Sequence, residues 1–293
     1  KVGDRAAILA PQSLDYIVSF LGALEAGFVA VPLSVPMMGV HDERATAVLK
    51  DCTPTVVLTT SAAVDAVMPS LAGVPGAQIL EVDALDLDSP AFPYSGPREL
   101  AKIAFLQYTS GSTRTPAGVM VTHAGLMENM RQIQSDWFED FGGIAPPDTT
   151  LVSWLPFYHD MGLVLGIAVP IFSGHKGDLM SPIAFLTRPV RWLQALSRNN
   201  PAWSAAPNFA FDLATRRVTD EEMAELDLSG IIGINNGAER IHPPTLIKFD
   251  ERFAAVGFRP EMMVPSYGLA EATLYVASGA HGRPPEVVEF AAD

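Results

Sequence analysis

Short apolar runs that alternate with amphipathic helical segments predict an α/β protein whose mostly parallel sheets are flanked by helices. Three observations carry that prediction. The chain opens as strand, helix, strand; the alternation resumes after each break; and 48% of its 293 residues are apolar, enough to bury a large core as one big domain or two closely packed subdomains. No fixed-period repeat, low-complexity tract or linker composition divides the chain. Residues 1–293 are therefore expected to form one domain with no internal boundary marked in the sequence.

Arg5 to Ala10 reads as the first strand. Ser13 is a candidate N-cap, Ile17, Phe20, Leu21 and Leu24 repeat at helical spacing, and Gly27 is a fitting stop. Phe28 to Leu33 is the second strand. A helix from Asp42 to Asp51 follows, with Ala45, Val48, Leu49 and Cys52 on one face, then a strand from Thr55 to Thr60. A Pro- and Asp-rich connector, Asp83 to Pro97, leads to the apolar run Ile103 to Leu106. Leu126, Met130, Ile133 and Trp137 recur at steps of four, three and four, which predicts a helix capped by Thr122. Leu151 to Leu155 is a strand. Ser181-Pro182 and Pro189 start helices, the second with Trp192, Leu193 and Leu196 as its buried stripe. Trp203 to Phe211 is small and aromatic, suited either to core packing or to lining an apolar tunnel. Ile231 to Ile234 is a strand, and Thr245 to Val256 is a helix preceded by two prolines and stopped by Gly257.

The formal net charge of −14 argues against nucleic acid, because duplex binding needs clustered Lys and Arg to displace counterions. One stretch runs the other way: Lys176, Arg188, Arg191, Arg198, Arg216 and Arg217 stand against Asp178 and Asp212, either as solvated helix faces or as a docking patch. A single cysteine, Cys52, excludes an internal disulfide framework and fits a reducing compartment. No secretory signal is visible, and the longest apolar run, Met161 to Phe172, is too short to span a bilayer. A cytoplasmic protein with no transmembrane segment is expected.

The chemistry centres on Tyr108 to Val119, Tyr-Thr-Ser-Gly-Ser-Thr-Arg-Thr-Pro-Ala-Gly-Val. Glycine lets backbone N–H groups turn inward and short hydroxyls add donors, so such a loop can cradle a polyphosphate; an ordinary Ser/Thr/Gly connector has the same composition. No Gly-Lys-Ser/Thr occurs in the chain, so this is not a Walker A loop. Further on stand Leu155-Pro-x-x-His159-x-x-Gly162, then Asn235-Asn-Gly-Ala-Glu239 at the end of an apolar strand, where open parallel sheets carry their ligand loops. Last comes Tyr267-Gly-Leu-Ala-Glu271.

These four motifs, in this order, resemble those of the adenylate-forming superfamily, which includes acyl-CoA synthetases, peptide-synthetase adenylation domains and luciferases. Arg114 stands where the general pattern has Gly, and Ala117 where it has Lys. Arg-Thr-Pro-Ala-Gly resembles the fatty acyl-AMP ligase branch, with Arg114 a candidate to supply phosphate charge that Ala117 lacks. The resemblance covers essentially the whole chain and implies the large N-terminal domain of the adenylate-forming fold. It assigns Thr109, Ser110, Gly111, Ser112, Thr113 and Arg114 to the phosphates of ATP. Asn236, Gly237, Ala238, Glu239, Tyr267 and Gly268 fall to adenine. Glu271 and Thr113 fall to Mg²⁺, and Glu271 and His159 to catalysis, with His159 at the carboxylate end of the acyl pocket. Trp154, Ala206, Asn208 and Phe209 fall to the pocket itself. Ala270 replaces a Thr common in the superfamily.

The implied substrate is a fatty acid, and the implied acceptor an acyl carrier protein domain of a polyketide synthase. The family continues past the equivalent of Asp293 with a ribose-binding aspartate, a hinge and a C-terminal domain bearing a catalytic lysine, and its start precedes Lys1. The isolated chain is thus expected to bind its ligands weakly with little or no turnover. An acyl-CoA ligase shares the first half-reaction. A module that retains acyl-adenylate without making it is the alternative of another class, whereas a serine hydrolase lacks its Gly-x-Ser-x-Gly.

Overall fold

The computed structural model describes residues 1–37, 42–86, 100–109 and 116–290. It divides into two compact units: Lys1–Met127 with Phe157–His159, and Glu128–Pro156 with Asp160–Asp293.

The first unit is built on strands β1 (Arg5–Ile8), β2 (Val29–Pro32), β3 (Val56–Thr59), β4 (Gln78–Glu81), β5 (Ile103–Tyr108) and β6 (Gly118–Thr122). Their order is β4-β3-β1-β2-β5-β6, and only β5 and β6 pair antiparallel. Ser13 accepts the Asp15 N–H and opens helix α1 (Leu14–Glu25), which buries Tyr16, Ser19, Phe20 and Ala23. Gly27 follows it at φ 78°, a left-handed turn that glycine adopts at low cost. Asp42 accepts the Ala45 N–H at 2.9 Å to cap helix α2 (Glu43–Cys52). Val48, Leu49 and Cys52 of that helix enter one core with Leu9, Val31, Val57 and Val67, the last from the short helix α3 (Val64–Val67). Burial, reinforced by Asp51, pushes the Cys52 thiol up to about 12, so it packs as a small apolar group.

Sequence spacing runs the hydroxyl loop directly toward a helix. The structure inserts the five-residue strand β6 between them, so the loop closes a hairpin and does not sit on a helix N-terminus. Helix α4 (His123–Trp137) begins after that strand, with Thr122 Oγ1 accepting the Gly125 N–H at 2.9 Å.

The second unit carries β7 (Thr150–Ser153), β8 (Lys176–Leu179), β9 (Ala202–Pro207), β10 (Ile231–Gly237), β11 (Met263–Gly268) and β12 (Tyr275–Ser278) in the order β12-β11-β10-β9-β7-β8. All neighbours are parallel except β11 and β12. The longest apolar run is a helical stretch: α5 (Asp160–Leu163), a π-helical turn over Val164–Ala168, and α6 (Val169–Ser173). Ser181 caps α7 (Pro182–Thr187), and α8 (Val190–Arg198) follows. Helices α9 (Asn208–Arg217), α10 (Asp220–Met223) and α11 (Pro243–Phe253) complete the unit.

Two indoles bind opposite faces of this sheet. Trp203 Nε1 donates to Asn235 Oδ1 at 2.7 Å, and its ring packs 4.2 Å from Trp137. Trp192 Nε1 donates to Ser204 Oγ at 3.0 Å, in an aromatic row that continues through Phe185, Phe211 and Phe249. Since Trp203 and Phe211 are both buried, the two ends of the small-and-aromatic stretch are core. In the basic stretch, Arg198 pairs with Asp178 and Arg216 with Asp212, the two acids within it, and Arg188 pairs with Glu222 beyond it. No helix among the described residues is long and apolar enough to cross a membrane.

Candidate active site: two sets of sheet-edge residues

In the first unit the hydroxyl loop leaves the sheet at a neck formed by the register pair Tyr108 and Gly118. The Tyr108 hydroxyl donates to Asp51 Oδ2 at 2.5 Å. Burial, then that hydrogen bond, raises the phenol far above its ordinary range, so it stays a donor. A Cβ on Gly118 would lie 2.9 Å from the Tyr108 ring, so the covering phenol requires glycine there. Thr109 is exposed just outside the neck. Ser110, Gly111, Ser112, Thr113 and Arg114 lie outside the described residues.

Gln107, the last residue of β5 before Tyr108, donates Nε2 to the Tyr158 carbonyl at 2.9 Å. Phe157 N–H donates to Gln12 Oε1 at 3.3 Å, and the Phe157 ring packs 5.7 Å from Tyr16. These contacts hold the segment carrying the exposed His159 beside the root of the loop. Sequence reasoning passed over Gln107 and Asp51. The available signal was a glutamine breaking an apolar strand immediately before the loop.

The chain around His159 also shows what its motif glycine does. A Cβ on Gly162 would overlap the Pro156 carbonyl oxygen, so the proline and glycine of Leu-Pro-x-x-His-x-x-Gly are the two ends of one tight turn.

In the second unit, β9, β10 and β11 end side by side, with Asn236 opposite Ala206 on one flank and Pro265 on the other. A Cβ on Gly237 would lie 2.9 Å from the Ser266 carbonyl oxygen, which keeps the edge flat at that point. Ala238 follows at φ 65°, a left-handed conformation uncommon for a residue with a side chain. Glu239 accepts the Phe209 N–H at 2.6 Å and so ties the end of β10 to the first turn of α9. Asn208, buried, accepts the His242 N–H at 3.1 Å. Tyr267 is 63% exposed, a large ring left open at the end of β11. Glu271 is exposed on the 3₁₀ turn Ala270–Ala272 that follows. Trp154 stacks on Phe185 at 4.0 Å and meets Phe209 edge-on at 5.9 Å.

The adenine, metal and acyl residues expected from the sequence thus gather on one sheet edge, and Thr109 and His159 gather on another. A flat base suits a glycine edge with an open aromatic ring beside it. Among the described residues no three of His, Cys, Asp or Glu converge as a metal site. A single carboxylate such as Glu271 fits a Mg²⁺ ion held mainly by substrate phosphates and water.

A family model for AMP-binding enzymes matches residues 1–289. FadD21 of Mycobacterium tuberculosis, named as a fatty-acid–CoA ligase, is 57% identical over 298 residues, covering 99% of this chain and 51% of FadD21. FadD28 of the same organism, named as a long-chain-fatty-acid–AMP ligase, is 53% identical over 291 residues, covering 98% and 50%. A fatty acyl-adenylate ligase from Legionella pneumophila, solved in complex with acyl adenylate and pyrophosphate, matches with a TM-score of 0.85 at 36% identity, over 97% of this chain and 49% of that one. The chain spans about half the length of the curated relatives it matches.

Proposed function

Because the chain belongs to the AMP-binding enzyme family, we propose that it is the nucleotide- and acyl-binding part of a fatty acid–AMP ligase. The reaction joins a long-chain fatty acid to the AMP part of ATP with release of pyrophosphate. The acyl group of the resulting acyl-adenylate is then passed, with release of AMP, to an acyl carrier protein of a polyketide synthase. The observation that carries this reading is the edge of the second sheet, where the adjoining strands β10 and β11 end in Gly237 and the open Tyr267 ring, followed by Ala238 and by the turn bearing the Glu271 carboxylate.

In the proposed chemistry a carboxylate oxygen of the fatty acid bonds to the α-phosphorus as the bond to the β-phosphate oxygen breaks, and that electron pair leaves with pyrophosphate. No protein nucleophile is needed. Nucleophile and phosphates are all negative, so the chain contributes alignment and charge neutralisation. Thr109 and the hydroxyl loop donate to phosphate oxygens, Tyr267 stacks on the base, and Gly237 admits it. Glu271, with Thr113, holds Mg²⁺, which when bound offsets the phosphate charge. His159 is assigned the carboxylate of the fatty acid by the resemblance of its motif. The single buried cysteine supports a cytoplasmic setting.

The test is fatty-acid-dependent ATP–pyrophosphate exchange by the full-length protein, with product analysis in the presence of CoA. Acyl-AMP as the accumulating product supports the reading, and absence of exchange with every fatty acid removes it. Rapid acyl-CoA formation favours the second reading, a CoA ligase, to which the name of FadD21 points.

A further inference from the structure

The edge of the second sheet carries three asparagines whose side chains are not equivalent. Asn235 accepts the Trp203 indole N–H and donates Nδ2 to Ser266 Oγ at 2.8 Å. Asn208 accepts the His242 N–H and donates to Thr245 Oγ1 at 3.4 Å. Asn236 is 0% exposed, and neither its Nδ2 nor its Oδ1 has a partner among the described residues. A buried amide with donor and acceptor both unmade is costly, and such groups are completed by a ligand or by ordered water.

Register fixes which residues share its face. Asn236 lies opposite Ala206, and Ser204, two residues earlier on β9, lies opposite Val152 of β7. Side chains two apart on a strand point the same way, so Ala206 and Asn236 share the face on which Trp192 reaches Ser204. Trp154, two residues beyond Val152, stacks on Phe185, which also packs edge-on against Trp192. The Trp154 Nε1 is itself a buried donor without a partner among the described residues. β9 runs between β10 and β7, so the small Ala206 stands on the strand between two unsatisfied polar groups. The rings that contact Trp154, Phe185 and Phe209, are apolar, as is Ala206 opposite Asn236.

We propose that Asn236 and Trp154 recognise a hydroxyl group on the acyl chain, making hydroxylated fatty acids the preferred substrates. This deepens and rests on the ligase reading above. It gives Asn236 two parts, a backbone at the base platform and a side chain among the acyl residues. A hydroxyl can donate to Asn236 Oδ1 while accepting from Asn236 Nδ2 or Trp154 Nε1, whereas a methylene satisfies none of them. A site built around such groups discriminates against the analogue that lacks the partner.

The experiment measures kcat/KM for acyl-AMP formation by the full-length protein with dodecanoate, 2-hydroxydodecanoate, 3-hydroxydodecanoate and 3-oxododecanoate. At least one hydroxy acid is expected to exceed dodecanoate by about tenfold or more. The keto acid, which can only accept, is expected to fall between them. Asn236→Leu is expected to bring the hydroxy-to-plain ratio to about one, and Trp154→Phe, which keeps the stacking ring, to lower it in part. Equal kcat/KM for hydroxy and plain acids in the wild type overturns the proposal whatever the variants do. An Asn236→Leu ratio equal to wild type does the same, leaving the amide to a structural water. Exchange with none of the acids removes the ligase reading and this inference with it, whereas exchange without hydroxyl preference removes the inference alone.

Discussion

Gly268 tests whether the platform geometry is set by packing. It stands between Tyr267 and the turn bearing Glu271, at the point where the β11–β12 register shifts, and it pairs with Tyr275. Its φ is not left-handed, so backbone freedom does not require glycine. Space does. A Cβ there would overlap the Leu274 carbonyl oxygen and lie 2.9 Å from its carbon. That same oxygen accepts the Leu269 N–H at 2.8 Å, so moving it away breaks the bond that folds the Glu271 turn back onto β12. Overpacking costs about 1–3 kcal/mol and the lost hydrogen bond about 0.5–1.5 kcal/mol, so Gly268→Ala should destabilise by roughly 2–4 kcal/mol. In a chain of this size that corresponds to a Tm lowered by roughly 5–10 °C, read by differential scanning calorimetry. The KM for ATP in the full-length protein should rise with it, because Tyr267 and Glu271 flank the displaced residue. Gly22, in the middle of α1 with nothing within 4 Å of an added methyl, is the control, and Gly22→Ala should stabilise by about 0.5–1 kcal/mol. A Gly268→Ala protein with wild-type Tm and wild-type KM for ATP would refute the packing argument.

Glu271→Ala in the full-length protein should cost on the order of 3 kcal/mol in transition-state stabilisation, roughly a hundredfold in rate; unchanged pyrophosphate exchange at limiting Mg²⁺ would take Glu271 out of the site. Tyr108→Phe removes the donor to Asp51 at the neck of the hydroxyl loop and should lower stability by about 1 kcal/mol, measured by urea unfolding, with a higher KM for ATP. Burial, then Glu261 and Glu251, raises the Asp250 carboxyl to about 6, above its unfolded value, so the folded state is penalised increasingly as pH rises from near 4 to 6. Asp250→Asn should therefore stabilise by about 1–3 kcal/mol at pH 7, after discounting for partial exposure, and the gain should vanish as pH falls toward 4; a gain independent of pH between 4 and 7 would exclude titration of Asp250 as its origin.

Much of the alternation was legible because it rests on local rules. Ser13, Asp42, Thr122 and Ser181 cap the helices their positions announce, and β1, β2 and β3 fall within one or a few residues of the apolar runs that predict them. Of the strands that escaped notice, which include β4 and β12, two are of a different kind. β6 follows directly on Pro116 and Ala117, where turn chemistry masks the start of a strand that, among the described residues, pairs with antiparallel β5 alone. β8, Lys-Gly-Asp-Leu, is the edge strand beside β7 and lacks an apolar alternation, because an edge needs no second neighbour. The division into two units was hidden for a simpler reason. One boundary falls inside helix α4, between Met127 and Glu128, and the segment Phe157–His159 belongs to the first unit while its neighbours on both sides belong to the second. A chain that passes from one unit to the other within a helix and a tight turn has no linker to betray it.

The site divides along the same line between local and long-range information. Motif order brings Gly237, Tyr267 and Glu271 into consideration, and the parallel sheet then sets them on one edge because β10 and β11 end together. What no motif conveys is the direction of each side chain. Asn235 and Asn236 are adjacent in sequence and identical in chemistry, yet strand alternation sends the first to the Trp203 face, bonded at both ends of its amide, and the second to the Ala206 face, without a side-chain partner among the described residues. Which of the two turns to which face depends on the register of β10 against β9, a relation between residues some thirty positions apart. A one-residue slip of β10 would exchange their roles. It would turn away from Trp203 the amide that completes its indole and remove the partner of Ser266. The hydrogen bonds of Asn235 to Trp203 and Ser266 therefore favour the register that sets Asn236 on the Ala206 face. This makes Asn235→Asp, which retains the acceptor but loses the donor to Ser266, a perturbation expected to alter acyl selectivity from the opposite face of the sheet.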